Sequence, residues 1–344
     1  MTDITYKCNT RNLKKILAIL LDAGLVPFIV SSPGMGKSCV VKSLADDYNL
    51  KLIDHRISTS EPTDFSGLPR ITDDYAKMVP FTDIFPLEST PIPQGKNGWI
   101  LFLDEFNSGT KQTMAASYRP ILDHQVGQHN LHPNCRLILA GNKTTDKAIV
   151  TGNLSTALQS RVVYLELELD FNIWFEDVAV AEKYHPSVMA FLMNNERYLM
   201  DFDPDNAGKP FCCPRTWEFM NRQVMVTDGP VDFMKPAYTG TITSGVAVAF
   251  VQFCKVFSQL TSKDNVLKNP SGAPIPADKS TQWALLSSMI SWVEENNFGV
   301  LSTFANRFSM DMRVFFFRAA VARYPTIRNT AEFGVAASQL SHLL

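Results

Sequence analysis

The sequence predicts an α/β fold, a parallel β-sheet flanked by helices followed by an α-helical second part. Three observations predict it. Short apolar runs alternate with helical patterns over residues 26–169. A glycine-containing loop, Ser31-Ser32-Pro33-Gly34-Met35-Gly36-Lys37-Ser38, joins the first of those runs to a helical pattern. From about residue 171 onward strand-like runs become rare. The implied division is a sheet-bearing domain over 1–170 and a helical domain over 171–344.

The elements follow in order. Leu13, Ile16, Leu17, Leu20 and Leu21 recur at helical spacing, and Gly24 follows as a stop signal. "VPFIV" (26–30) is a short buried strand, and the loop comes next. Val40, Val41, Leu44, Ala45 and Tyr48 then mark one face of a helix. "KLIDHRI" (51–57), "GWILFLDE" (98–105), "CRLILAGN" (135–142) and "RVVYLELEL" (161–169) read as further strands. In a parallel sheet with helices on both faces, polar residues at the carboxyl ends of these strands gather along one edge, where ligands bind. Beyond them, 174–200, 214–226, 243–260, 281–296 and 311–324 look mostly helical, and "NPSGAPIPADKS" (269–280) is a loop. There are no internal repeats.

Composition bounds the function. The chain of 344 residues is 45% hydrophobic and 19% charged, an ordinary globular balance. Its formal net charge of −2 gives no global support for non-specific nucleic-acid binding, and leaves a local basic patch open. The polar start "MTDITYKCNTRNLKK" lacks the apolar core of a signal peptide. Apolar runs are broken well before membrane-spanning length, so no membrane insertion is expected. The cysteines Cys8, Cys39, Cys135, Cys212, Cys213 and Cys254 are scattered, which reads as reduced thiols in a cytoplasmic protein.

The loop matches the phosphate-binding pattern G-x-x-x-x-G-K-[ST] except that Ser31 stands at the first glycine. Its backbone over 33–38 would wrap a β-phosphate, because glycines permit close approach. Gly36 would stand where a side chain strikes the phosphate. Lys37 would bridge the β- and γ-phosphates, and the Ser38 hydroxyl would hold Mg²⁺. Pro33, Gly34, Met35, Gly36, Lys37, Ser38 and Cys39 form the candidate nucleotide-binding set, with the following helix adding its positive dipole end. Ser31 would shape the turn and touch no phosphate. The plainer reading is a Gly/Pro turn with an exposed Lys and Ser.

Asp104 and Glu105 end the second apolar run downstream. Asp104 suits Mg²⁺, directly or through its water, and Glu105 suits polarising an attacking water. Two solvated acids at a strand end are the plain alternative. Asn142 ends "LILAGN", where an amide would bond the lytic water or a γ-phosphate; taken singly, a turn-forming Asn explains it as well.

Taken together, "SSPGMGKS", "WILFLDE", "LILAGN", "LSTALQSRV" and "CCPRTWEF", in that order, resemble the AAA+ ATPases and within them the MoxR-type group. "EPTDFSGLPR" (61–70) resembles that group's insertion in the second helix, and "ILDHQVGQHNLHPNCRLILAGN" (121–142) the hairpin before its sensor strand. The resemblance covers roughly 10–225 well and the helical remainder more loosely. It implies a P-loop AAA+ core over 1–170, then an α-helical lid with a C-terminal helical extension. It implies ATP and Mg²⁺ as ligands and ATP hydrolysis as the activity. Asn142 corresponds to the sensor 1 residue, Arg161 to an arginine finger reaching a neighbouring subunit's nucleotide, and Arg215 to the sensor 2 arginine on the lid. By the same resemblance the chain forms a ring, a hexamer, that remodels a protein substrate. Its partner would be a protein with a von Willebrand factor A domain, its role chaperone-like. Three features depart from the pattern: Ser31 in place of glycine, Phe106-Asn107-Ser108 where Asn-Arg often follows the acids, and a longer helical tail.

Other features carry bland readings beside sharp ones. His124, His129, His132 and Cys135 are close in sequence, but a hairpin and strand would send them to both faces. Cys212-Cys213 read as buried thiols. "RVFFFRAA" (313–320) reads as packing of the helical core rather than base stacking. Tyr75, Met78, Val79 and Phe81, on an expected exposed hairpin over 73–86, would either grip a substrate chain in a ring's pore or form a small satellite core. Functions of other classes are a nucleic-acid motor or loader and an ATP-dependent scaffold with slow turnover.

Overall fold

The computed structural model describes residues 7–146, 154–205, 209–257 and 261–340. Ten strands occur among them: β1 (Lys7–Cys8), β2 (Val26–Ser31), β3 (Lys51–Arg56), β4 (Leu68–Ile71), β5 (Ala76–Val79), β6 (Trp99–Asp104), β7 (Gln125–Val126), β8 (His129–Asn130), β9 (Cys135–Asn142) and β10 (Val162–Leu167). Six of them make one sheet in the order β1-β10-β2-β9-β6-β3, and every pairing in it is parallel. The six-stranded parallel sheet flanked by helices is the fold class that the alternating pattern predicted.

The register explains how the central strand tolerates a proline. All six residues of β2 are buried, as a strand covered on both faces must be. Pro27 pairs only with Val163 of β10, because the pairing with β9 begins one residue later at Phe28↔Leu139. The missing N–H of Pro27 therefore falls where β2 has a neighbour on one side only.

Helices α1 (Thr10–Asp22) and α2 (Lys37–Asp47) bracket β2. The Asn9 side chain caps α1 by accepting from the Asn12 N–H at 2.9 Å, and Leu13, Leu17 and Leu21 form its buried stripe. Tyr48, expected on the inner face of α2, lies beyond its end and is exposed. Short helices α3 (Pro62–Ser66), α4 (Lys111–Ala116), α5 (Tyr118–Asp123) and α6 (Thr156–Gln159) complete the layer. Phe28, Leu101, Leu103, Phe106, Leu137 and Leu139 anchor the core beside the sheet, with Phe65 and Phe85 packed edge to face.

Two small hairpins leave this body. β7 and β8 pair antiparallel around Gly127 at φ +57°, as expected before the sensor strand. β4 and β5 pair antiparallel over Leu68–Ile71 and Ala76–Val79, so the expected hairpin begins earlier than residue 73. Its apolar residues are divided: Tyr75 and Val79 are exposed, as are Leu68 and Ile71, while Met78 and Phe81 are half-buried.

The chain divides into two compact units, Met1–Leu169 with Asp203–Asp205 and Asp170–Phe202 with Asn206–Leu344. The second is helical: α7 (Phe171–Trp174), α8 (Pro186–Asn194), α9 (Pro214–Val226), α10 (Lys235–Thr239), α11 (Ser244–Phe257), α12 (Lys263–Lys268), α13 (Lys279–Trp292), α14 (Phe298–Ala305), α15 (Met310–Arg323) and α16 (Ala331–Gln339). The stretch expected as mostly helical over 174–200 is helical in pieces. A π-helical turn spans Phe175–Val180, Pro186 starts α8 afresh, and a short 3₁₀ turn follows at Glu196–Leu199. The aromatics of "RVFFFRAA" pack inward: Phe315 lies 4.6 Å from Phe175, ring centre to ring centre, and Phe316 and Phe317 are fully buried. Among the described residues no helix is long and apolar enough to cross a membrane.

Candidate functional site

Residues at the carboxyl ends of β2, β6 and β9 come together where a parallel sheet places its ligands. β2 ends at Ser31, β9 at Asn142 and β6 at Asp104, and Ser31 lies opposite Asn142 in the register. The loop after β2 turns through Gly34 at φ +76° and Gly36 at φ +88°. A Cβ added at Gly36 would meet nothing within 4 Å, so the glycine is required here by backbone conformation. Ser31 is the buried last residue of an extended strand, outside the left-handed region.

Gly36 is the N-cap of α2 and offers no side-chain cap, and the first turn of α2 holds no acid. The first intrahelical bond runs from the Val40 N–H to the Gly36 carbonyl at 3.1 Å. The amides of Lys37, Ser38 and Cys39 precede that bond and point out of the helix end, as first-turn amides do. This end of α2 is therefore electropositive and lined with N–H groups. Met35 is buried, Lys37 and Ser38 are half-buried, and the Cys39 side chain is exposed.

Lys37 reaches back across the loop. Its Nζ donates to Ser31 Oγ at 3.0 Å, to the Ser31 carbonyl at 3.3 Å and to Asn142 Oδ1 at 3.3 Å. Ser38 Oγ donates to Asp104 Oδ2 at 3.3 Å. The other oxygen of Asp104 accepts the Glu105 backbone N–H at 2.8 Å. Glu105 itself sits at φ +52°, an uncommon conformation for a non-glycine residue, and Oε2 of its carboxylate accepts from the Ser58 hydroxyl. Asp54, exposed on neighbouring β3, has its carboxyl pushed up by partial desolvation, then by the negative charges of Asp104 and Glu105.

Sequence reasoning missed the residue that ties the two acid- and amide-bearing strands together. Asn107, buried in the turn after Glu105, uses both ends of its amide on one residue. Its Oδ1 accepts the Asn142 N–H at 3.0 Å and its Nδ2 donates to the Asn142 carbonyl at 2.7 Å. Gly141 makes room for this: a Cβ there would stand 2.4 Å from Asn107 Oδ1. The only sequence signal was an Asn two residues past an acidic pair. Lys143 was missed too; it pairs with Glu166 of β10 at 2.6 Å, fixing the chain just after Asn142.

Arg161 belongs to the sheet unit and Arg215 to the helical unit. Arg161 is exposed immediately before β10, and Val162 of that strand pairs with Val26 at the start of β2. It is thus at the opposite edge of the sheet from the loop after Ser31, with Nη1 on the Ala157 carbonyl at 3.1 Å. Arg215 is exposed in the first turn of α9, in the helical unit. A cation at that end of a helix runs against the dipole.

The histidines do not converge. His124 caps α5 in a left-handed conformation, His129 is exposed, and the His132 ring packs 5.0 Å from Trp99. Cys135 is buried in β9, and burial pushes its thiol up to about 12. Among the described residues no three His, Cys, Asp or Glu are grouped to hold a metal ion. The six cysteines are thiols rather than disulfides; burial also pushes Cys254 up to about 12 and Cys212 up to about 11.

No family model and no curated protein matches this chain. Solved structures do. NtrX from Brucella abortus in complex with ATP is 15% identical with a TM-score of 0.42, covering 100% of this chain and 69% of its own. The same protein in complex with ADP is 16% identical with a TM-score of 0.41, covering 97% and 68%. RuvB from Thermotoga maritima, a Holliday junction branch migration motor, is 18% identical with a TM-score of 0.35, covering 75% of this chain and 74% of its own.

Proposed function

We propose that this chain is an ATP-hydrolysing AAA+ protein of the MoxR type that works as a ring and remodels a protein partner. The observation that carries the reading is the convergence of Lys37, Ser38, Asp104 and Asn142 around a helix N-terminus without a side-chain cap, with Glu105 beside them. Each is the residue type that phosphoryl transfer needs at that place.

The geometry supports the following roles. The first-turn amides of α2 receive phosphate oxygens, and Lys37 neutralises the β- and γ-phosphates. Ser38 Oγ and Asp104 Oδ2 bring two oxygen donors together, a set that suits Mg²⁺. That ion, when bound, neutralises charge on the phosphate oxygens. Glu105 orients and deprotonates the attacking water. To do so its carboxylate exchanges the Ser58 hydroxyl for that water. The Asn142 amide orients the γ-phosphate or the water, held in place from behind by Asn107.

Arg161 lies far from the loop of its own chain, which suits an arginine that acts on a neighbouring subunit's nucleotide. That arrangement requires a ring, and a hexamer is the resemblance's size. Arg215 serves as the lid arginine; its place against the helix dipole gives a reason for it other than stability. The exposed apolar hairpin of β4 and β5 suits a protein substrate. A von Willebrand factor A domain partner is the class expected by analogy.

The test is turnover with partner capture. Purified protein should hydrolyse ATP, and the Glu105→Gln variant, loaded with ATP, should retain a protein partner. Stimulation by DNA and not by protein would move the chain to the nucleic-acid motors. No ATP binding at all would end the reading.

A further inference from the structure

The residue that departs from the loop motif is also the residue that holds the lysine. Ser31 is fully buried at the end of β2, and its side chain accepts the Lys37 ammonium at 3.0 Å. An ammonium has three N–H donors. Three oxygens stand within 3.3 Å of Nζ: the Ser31 carbonyl, Ser31 Oγ and Asn142 Oδ1. A glycine at position 31 would supply the carbonyl alone. The hydroxyl is itself oriented, because it donates to the Ser32 carbonyl at 2.9 Å, which turns its lone pairs toward the lysine.

We propose that Ser31 is a positioning residue which, with Asn142, docks the Lys37 ammonium against the end of β2, so that a nucleotide must draw it off this dock. The proposal rests on the nucleotide-binding reading above and deepens it. A phosphate oxygen gains Lys37 only as one of the docking oxygens gives up its hydrogen bond. The serine therefore stabilises the empty loop more than the loaded one, and it lowers nucleotide affinity below that of a glycine loop. Asn142 loses its lysine in the same exchange and is released to meet the γ-phosphate. A hydrogen bond to a charged donor is worth enough for the serine alone to move affinity by roughly three- to tenfold.

The experiment uses the full chain and ADP. Dissociation constants are measured by calorimetry and melting temperatures without ligand for wild type, Ser31→Ala, Lys37→Ala and the double variant. Ser31→Ala keeps the Cβ and removes only the hydroxyl. It should bind ADP about three- to tenfold tighter while its ligand-free melting temperature falls. A merely structural role for Ser31 would weaken ADP binding and lower the melting temperature together. On a Lys37→Ala background the melting cost of Ser31→Ala should largely vanish. Unchanged or weaker ADP binding by Ser31→Ala, or full additivity of the two melting losses, overturns the dock. If wild type binds no ADP, or Lys37→Ala binds it equally well, the nucleotide reading itself falls and the dock with it.

Discussion

The two units of the chain use polar groups in opposite ways. In the sheet unit, polar side chains collect at strand ends and bond to one another: Lys37 to Ser31 and Asn142, Ser38 to Asp104, Glu105 to Ser58. In the helical unit the interior is aromatic. Phe191 alone lies within 6 Å, centre to centre, of Tyr198, Trp217, Phe250 and Phe253. The polar groups there serve the packing. Glu176, which is buried, is paired with Arg318 at 2.6 Å, and the Trp217 indole donates to the Tyr198 carbonyl at 2.6 Å. Bonds of the first kind are half-exposed and exchangeable for a ligand. Bonds of the second kind are fixed by the core that surrounds them. Chemistry is therefore expected from the strand ends of the first unit, and a substitution in the aromatic interior of the second should register as stability.

The largest effect should come from Glu105→Gln. ATP should still bind, while turnover in a phosphate-release assay falls by ~10²–10⁴-fold, the usual range for loss of a general base. Unchanged turnover would assign the base elsewhere. Lys37→Ala comes next. Losing its charge-assisted bond to the β-phosphate should weaken ADP binding by ~10–10²-fold in calorimetry; an affinity near wild type would remove the loop from the site. Asn107→Ala leaves the N–H and carbonyl of Asn142 without these partners. It should cost ~2–4 kcal/mol in urea unfolding and also slow hydrolysis, joining stability to activity within one unit. Arg318→Met removes one charged partner of the buried Glu176 carboxylate. Because Arg318 is over a third exposed, the cost is nearer ~1–2 kcal/mol, with ADP affinity unchanged. A matching loss of affinity would blur the contrast between the units.

The smallest effect concerns pH. The Asp54 carboxyl is raised by desolvation first and then by Asp104 and Glu105, so its charged form is less favourable folded than unfolded. A raised acid contributes its full stability below the unfolded value of about 4 and loses it as pH rises through the folded value. Asp54→Asn should therefore raise the melting temperature slightly near pH 7 and leave it unchanged near pH 3. A gain of equal size at both would assign the effect to something other than charge.

Strands β2, β6 and β9 were legible because each is a continuous apolar run with a polar stop. The acids and the amide of the site were legible for the same reason: they are the stops. What the sequence could not show is tertiary. The pair of hydrogen bonds between the Asn107 side-chain amide and the backbone N–H and carbonyl of Asn142 joins residues 35 apart in the chain. The hydroxyl of Ser31 faces Lys37 only because the loop folds back over the strand end. In the helical unit the break before Pro186 was legible from the proline and the polar Glu182-Lys183 before it, whereas the π-helical turn over Phe175–Val180 leaves no mark in the hydrophobic spacing.

Gly141 carries a consequence for descent. Its missing side chain is the space in which the Asn107 amide lies, so neither position is free to change before the other. A substitution at 141 that adds a methyl group must expel the amide, and that methyl would also stand 3.0 Å from the Phe28 ring. In lineages related to this chain the two positions should drift as a single character. An Ala or Ser at 141 beside a retained Asn at 107 is the combination that should be missing.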